Sequence, residues 1–106
     1  MDKFMRIVVM FDLPVKKDKH KKEYIKFRKF LLTDGYEMMQ YSIYVRLCKG
    51  TDGVEKHKKR LNKNLPKWGV VRALTLTEKQ FAEMDFLVGT PQTLEEIKSP
   101  TQLSMF

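Results

Sequence analysis

Apolar positions along the chain change their spacing several times, and each change marks an element. Residues 4–12, FMRIVVMFD, hold a nearly continuous apolar run from Ile7 to Phe11 that ends on Asp12. A short run of that kind predicts a central strand covered on at least one face. Pro14 lacks a backbone donor and closes it. Helical spacing follows, with Asp18 as a suitable N-cap and Tyr24, Phe27, Phe30 and Leu31 on one stripe. Gly35, reached through Thr33-Asp34, suits the helix stop.

YEMMQYSIYVRLC, residues 36–48, is rich in Tyr, Ile and Val. It predicts two strands parted near Gln40-Tyr41, or one strand with a sharp bend. KGTDG, 49–53, reads as a loop. Residues 54–65 form a second helix in this reading, with Val54, His57 or Lys58, Leu61 and Leu65 inward and Pro66 at its end. VVRALTLT, 70–77, alternates as a strand does. TEKQ, 77–80, fits a capping box, a Thr followed three residues later by Gln, and opens a short helix through Met84. FLVG, 86–89, is a candidate extra strand. From Thr90 the chain turns to Pro, Ser, Thr and Gln, which predicts a loosely ordered tail. Leu103, Met105 and Phe106 are isolated apolar groups there that suit docking on a partner. The domain therefore spans 1–89 and the tail 90–106, with no internal repeat.

Strand, helix, strand, strand, helix, strand is the βαββαβ order of an α+β, ferredoxin-like fold. Two helices cover one face of an antiparallel sheet, followed by the short helix and the extra strand. Tyr41, Ile43, Tyr44 and Val45 supply apolar area on both sides of that sheet. The uncovered side predicts a second copy against it, hence a homodimer.

Composition narrows the function. The 106 residues suit one compact domain, and 42% apolar content is enough for a core. A net charge of +8 favours a polyanion, nucleic acid before an anionic membrane surface. No apolar run approaches the ~20 residues that span a bilayer. The N-terminal stretch lacks the small-residue cleavage site of a signal peptide. The single cysteine, Cys48, excludes an internal disulfide and a multi-cysteine zinc site, and reads as a small apolar strand residue. A reducing cytoplasm and no membrane partner fit these features.

The charge is concentrated. Lys16, Lys17, Lys19, Lys21, Lys22, Lys26, Arg28 and Lys29 lie on or near the first helix, and Lys56, Lys58, Lys59, Arg60, Lys63 and Lys67 on or near the second. Together they make 14 of the 21 Lys and Arg residues. A solvated helix face can look the same, but concentration on both helices points to phosphate contact, with Lys16, Lys17, Lys19, Lys22, Lys26, Arg28, Lys29, Lys59 and Arg60 as candidates. Lysine outnumbers arginine, which suits backbone contact and sequence-tolerant binding. Tyr24, Phe27 and Phe30 read as core. The sheet lacks the aromatic-glycine motif of an RNA-recognition module. Trp68 reads as a packing residue at the start of a strand, with contact to nucleic acid as the minor alternative.

Metal-assisted phosphodiester cleavage needs carboxylates on a hard cation such as Mg²⁺. Asp12 is the candidate, both as metal ligand and as catalytic residue, because it stands at a strand end. A turn-forming role is the competing reading. A single Asp makes a poor site, whereas a twofold axis near it would pair two. His20 and His57 read as packing or surface residues. No Gly-rich phosphate loop, Ser-His-Asp set or Cys-His pair is present.

VVMFDLP, then KFRKFLLTDGYEMMQYSIYVRL, then VVRALTLTEKQF resemble the small CRISPR-associated spacer-acquisition family, the second core protein of that system. The resemblance covers residues 4 to about 89. RKFLL, G-x4-Q-x-S-[VI]-[YF] and LTLTEKQF stand in the family's order and spacing, in wording nearest to members from systems with a single large effector nuclease. The resemblance implies a ferredoxin-like homodimer that bridges integrase dimers, holds duplex prespacer DNA and serves its insertion into the repeat array. It also implies a metal-dependent endonuclease on RNA or DNA. The family's metal-binding Asp falls on Asp12, and its neighbouring Ser and aromatic fall on Ser42 and Tyr44. Some nuclease-active members carry Arg where this chain has Met38. The alternatives are a stand-alone Mg²⁺-dependent endoribonuclease on the same scaffold, and a general RNA-binding module with no integrase.

Overall fold

The computed structural model describes residues 3–89. The elements are β1 (Phe4–Asp12), α1 (Asp18–Thr33), β2 (Glu37–Gln40), β3 (Ile43–Lys49), α2 (Gly50–Lys63), β4 (Val70–Thr77) and α3 (Glu78–Ala82). The four strands form one sheet in the order β2-β3-β1-β4, and every neighbouring pair is antiparallel. This is the ferredoxin-like α+β arrangement.

Alternation assigns the two faces. Ile7, Val9 and Phe11 of β1 and Tyr44 and Cys48 of β3 belong to the core that also takes Tyr24, Phe27 and Leu31 of α1 and Val54 and Leu61 of α2. Phe11 anchors it, edge-on to Phe27 at 5.3 Å and stacked on Tyr44 at 5.7 Å. Burial pushes the Cys48 thiol up from its usual range, which suits an inert packing residue rather than a nucleophile. On the other face stand Val8, Met10, Val45, Leu47, Leu74 and Leu76, in register across β3, β1 and β4. Val8 and Val45 are shielded by their neighbours, but Leu74 is 50% exposed and Leu47 42%.

Several expectations shift at the element ends. The residue capping α1 is Lys17, with no side-chain hydrogen bond, and Asp18 instead sits in the first turn, where a negative charge favours the helix dipole. The stretch from Gly50 is already helical: Gly50 takes φ 68° and lets the chain turn straight out of β3, so the anticipated loop is absorbed into α2. His57, not Lys58, faces inward, and Leu65 lies beyond the helix end and is exposed. The capping box at Thr77–Gln80 is present, with both reciprocal bonds. Residues 86–89 form no strand. Phe86, Leu87 and Val88 are exposed. The expected tail, 90–106, lies outside the described residues.

α3 is pinned to the open face. Arg6 Nε and Nη2 donate to both carboxylate oxygens of Glu78, at 2.8 and 3.0 Å. The Arg6 guanidinium also lies over the Phe81 ring at 4.5 Å. The Arg6 bond holds the Glu78 carboxyl below its ordinary range.

Candidate functional site

One end of the sheet gathers three segments around the end of β1. Phe11 N donates to Ser42 O at 3.0 Å, which binds the β2–β3 turn beside Asp12. Ser42 takes a left-handed φ of 63°, a conformation that costs a non-glycine residue on the order of 1 kcal/mol and is held here by that bond. On the other side Asp12 pairs with Val70, the first residue of β4. Gly69 precedes it at φ 94°, and a Cβ there would lie 2.6 Å from Asp12 O and 2.7 Å from Leu13 Cδ2. Only glycine lets the chain pass that close.

Asp12 is exposed at this end, and alternation along β1 places it on the face away from the helices. Ser42 joins it through the backbone. Tyr44 does not. Its register partner is Val9, so its ring enters the helix-side core, where it is 1% exposed and its hydroxyl accepts from Arg28 Nε at 3.0 Å. The strand register thus places Tyr44 as a packing residue on the opposite face from Asp12. Met38, in register with Tyr44, packs against the same core.

Among the described residues, no group of three or more His, Cys, Asp or Glu side chains is placed to hold a metal ion. One chain therefore offers Asp12 as a single hard oxygen ligand, which does not by itself make a Mg²⁺ site.

The candidate phosphate contacts divide into free and engaged groups. Lys16, Lys17, Lys19, Lys22, Lys26, Lys29 and Lys59 are exposed. Lys19 Nζ sits 5.0 Å from the Trp68 ring centre. Arg28 is half-buried and braces Tyr44. Arg60 Nη1 donates to Asp34 Oδ1 at 2.8 Å. Asp34 forms a clasp that sequence reading missed. Its Oδ2 meets His57 Nδ1 at 3.1 Å, and its backbone carbonyl accepts from Arg46 Nε at 2.6 Å. One residue thus joins the end of α1, β3 and α2. Thr33-Asp34-Gly35 signals a helix stop in sequence, and nothing in that signal reveals partners 23 and 26 residues away.

The family model described as "CRISPR associated protein Cas2" matches residues 5–84. A protein of Acidovorax ebreus named "CRISPR-associated endoribonuclease Cas2" is 50% identical over 102 residues, covering 96% of this chain and 100% of the relative. Relatives of the same name from Campylobacter jejuni and Ligilactobacillus salivarius are each 44% identical, covering 99% and 92% of this chain and 73% and 95% of their own lengths. With the βαββαβ fold, the strand-end Asp12 and the Gln40-x-Ser42 turn already in place, these matches carry the sequence resemblance to its conclusion: the chain belongs to the CRISPR associated protein Cas2 family.

Proposed function

We propose that the chain works in the cytoplasm as a homodimer that binds duplex DNA, both prespacer and repeat array, and bridges copies of the CRISPR integrase during spacer insertion. The observation that carries this reading is the row of exposed lysines on α1 and its approach, Lys16, Lys17, Lys19, Lys22, Lys26 and Lys29. They are mobile point charges on a rigid helix, suited to a regular phosphate backbone and indifferent to base sequence. The open sheet face supports the dimer, since it leaves Leu47 and Leu74 in water.

A second activity stands on the same scaffold: metal-dependent endonuclease cleavage at Asp12. The relatives' name and the exposure of Asp12 beside the strained Ser42 turn favour it. A facing copy supplies the second carboxylate that one chain lacks. A divalent ion such as Mg²⁺, when bound, polarises a phosphodiester and activates water. The chain's own part is to hold the phosphate backbone with lysines and to fix Asp12 between Ser42 and Gly69.

Salt dependence tests the DNA reading. A dimer that neutralises ~8 phosphates shows log affinity falling against log salt with a slope of roughly −7. Replacing Lys22, Lys26 and Lys29 by Ala flattens the slope and weakens binding to unrelated duplexes alike. Arg28 is left in place because it braces Tyr44. A parental slope in the triple variant, or a strong sequence preference, would refute the assignment of this face to DNA.

A further inference from the structure

The lysine row accounts for phosphate contact, but one group at the Asp12 end has no role in it. Trp68 is the single tryptophan of the chain and is 37% exposed in the segment between α2 and β4. It is held by two contacts of its own ring and by one of each chain neighbour. Lys19 Nζ lies 5.0 Å from its ring centre. His20 meets it edge-on, with ring centres 5.0 Å apart and planes at 70°. The next residue, Gly69, packs onto the Asp12–Leu13 backbone. The residue before it, Lys67, donates its backbone N–H to Glu23 Oε1 at 3.0 Å. The indole is therefore fixed to both α1 and the end of β1.

We infer that Trp68, flanked by Lys19 and Lys67, is a stacking contact for an unpaired nucleobase of a strand whose phosphates the α1 lysines hold. An aromatic ring stacks on any base, and a flanking ammonium pairs with the adjoining phosphate. In the free protein the Lys19 ammonium stands over the ring. Lys19 is exposed on a flexible stem, so a base can take its place while the ammonium moves out to a phosphate. A closed duplex keeps its bases stacked on one another and offers none. The ligand class is thus a single-stranded segment or a frayed duplex end, in DNA or RNA, close to Asp12. This inference rests on the nucleic-acid reading above and adds the unpaired base to it.

The sole tryptophan makes the site its own reporter. The unchanged chain is titrated with end-labelled oligothymidylate, oligouridylate and a blunt duplex of ~12 nucleotides, within the site sizes of single-strand binders. Label anisotropy reports binding, and indole emission reports stacking. Quenching that tracks anisotropy for the single strands, and no quenching by the bound blunt duplex, is the expected result. Quenching by thymidylate alone or uridylate alone assigns the site to DNA or to RNA. Trp68→Leu then binds the quenching strand about 5- to 50-fold more weakly, at an unchanged salt slope, while duplex affinity is kept. Trp68→Phe restores most of the loss. Unchanged emission with a single strand shown bound by anisotropy overturns the inference. So does equal quenching by the blunt duplex. If anisotropy shows no binding of any oligonucleotide, the nucleic-acid reading itself fails.

Discussion

Asp12 is exposed, yet the backbone around it is gripped on both sides, by the bond from the preceding Phe11 N to Ser42 O and by the close pass of Gly69. A residue placed so firmly with its carboxylate in solvent is suited to hold something outside the chain. Asp12→Ala is expected to cut metal-dependent cleavage at least ~10²-fold, the scale of losing a principal electrostatic stabiliser. Duplex binding and spacer integration should persist, because the lysines proposed to hold the phosphate backbone are elsewhere. Both reactions are measured on one preparation whose melting temperature matches the parent. Cleavage at the parental rate would remove Asp12 from the chemistry, and loss of both in a folded protein would refute a purely architectural role in integration. Asp12 was legible in sequence because an acid that ends an apolar run before a proline is conspicuous. Gly69 was not, because its reason is a backbone 57 positions back in the chain, and only the register of Asp12 with Val70 brings the two together. Tyr44 shows the opposite failure. A motif position reports that a residue matters, but not which sheet face it serves, and a one-residue difference in parity decides that.

Between elements, the Asp34 clasp is the contact the sequence concealed most fully. The periodicity of α1 and α2 reveals their apolar stripes, since Tyr24, Phe27 and Leu31, like Val54 and Leu61, recur at helical spacing. Polar partners between elements have no period. The Asp34 side chain is 8% exposed and serves His57 and Arg60 together. Removing it strands His57 in a buried position without its partner and frees Arg60. Asp34→Ala is expected to destabilise the fold by about 2–4 kcal/mol, read from denaturant midpoints at unchanged slope. Arg60→Ala, whose side chain is half exposed, should cost no more than about 1 kcal/mol. Equal losses in the two variants would mean that Arg60 rather than His57 carries the clasp. The element ends that moved relative to expectation, Gly50 above all, moved for a local reason: a single glycine at positive φ replaced a loop.

Across the molecule, the described residues finish the sheet on one side only. The helices and their stripes seal one face, while the other leaves Leu47, Val70 and Leu74 in solvent around the α3 pin. Light scattering at micromolar concentration is expected to give twice the chain mass, and Leu74→Lys is expected to return the monomer mass with the helix-side core intact. A parental monomer would show that this face is covered some other way.

The strand order carries a further consequence, in time rather than in space. Of the described strands β1 is made first, yet it lies between β3 and β4, and its neighbour on one side is the last of them to appear. Arg6 and Glu78, which pin α3 to the open face, are 72 residues apart in sequence. During synthesis the most apolar strand therefore waits, half paired, until nearly all the described chain has left the ribosome. Pairings of such long reach form slowly and leave sticky intermediates exposed. Slow translation just before β4 would lengthen that wait. The yield of folded protein should then depend on how fast residues 64–77 are delivered, even when the finished product is identical.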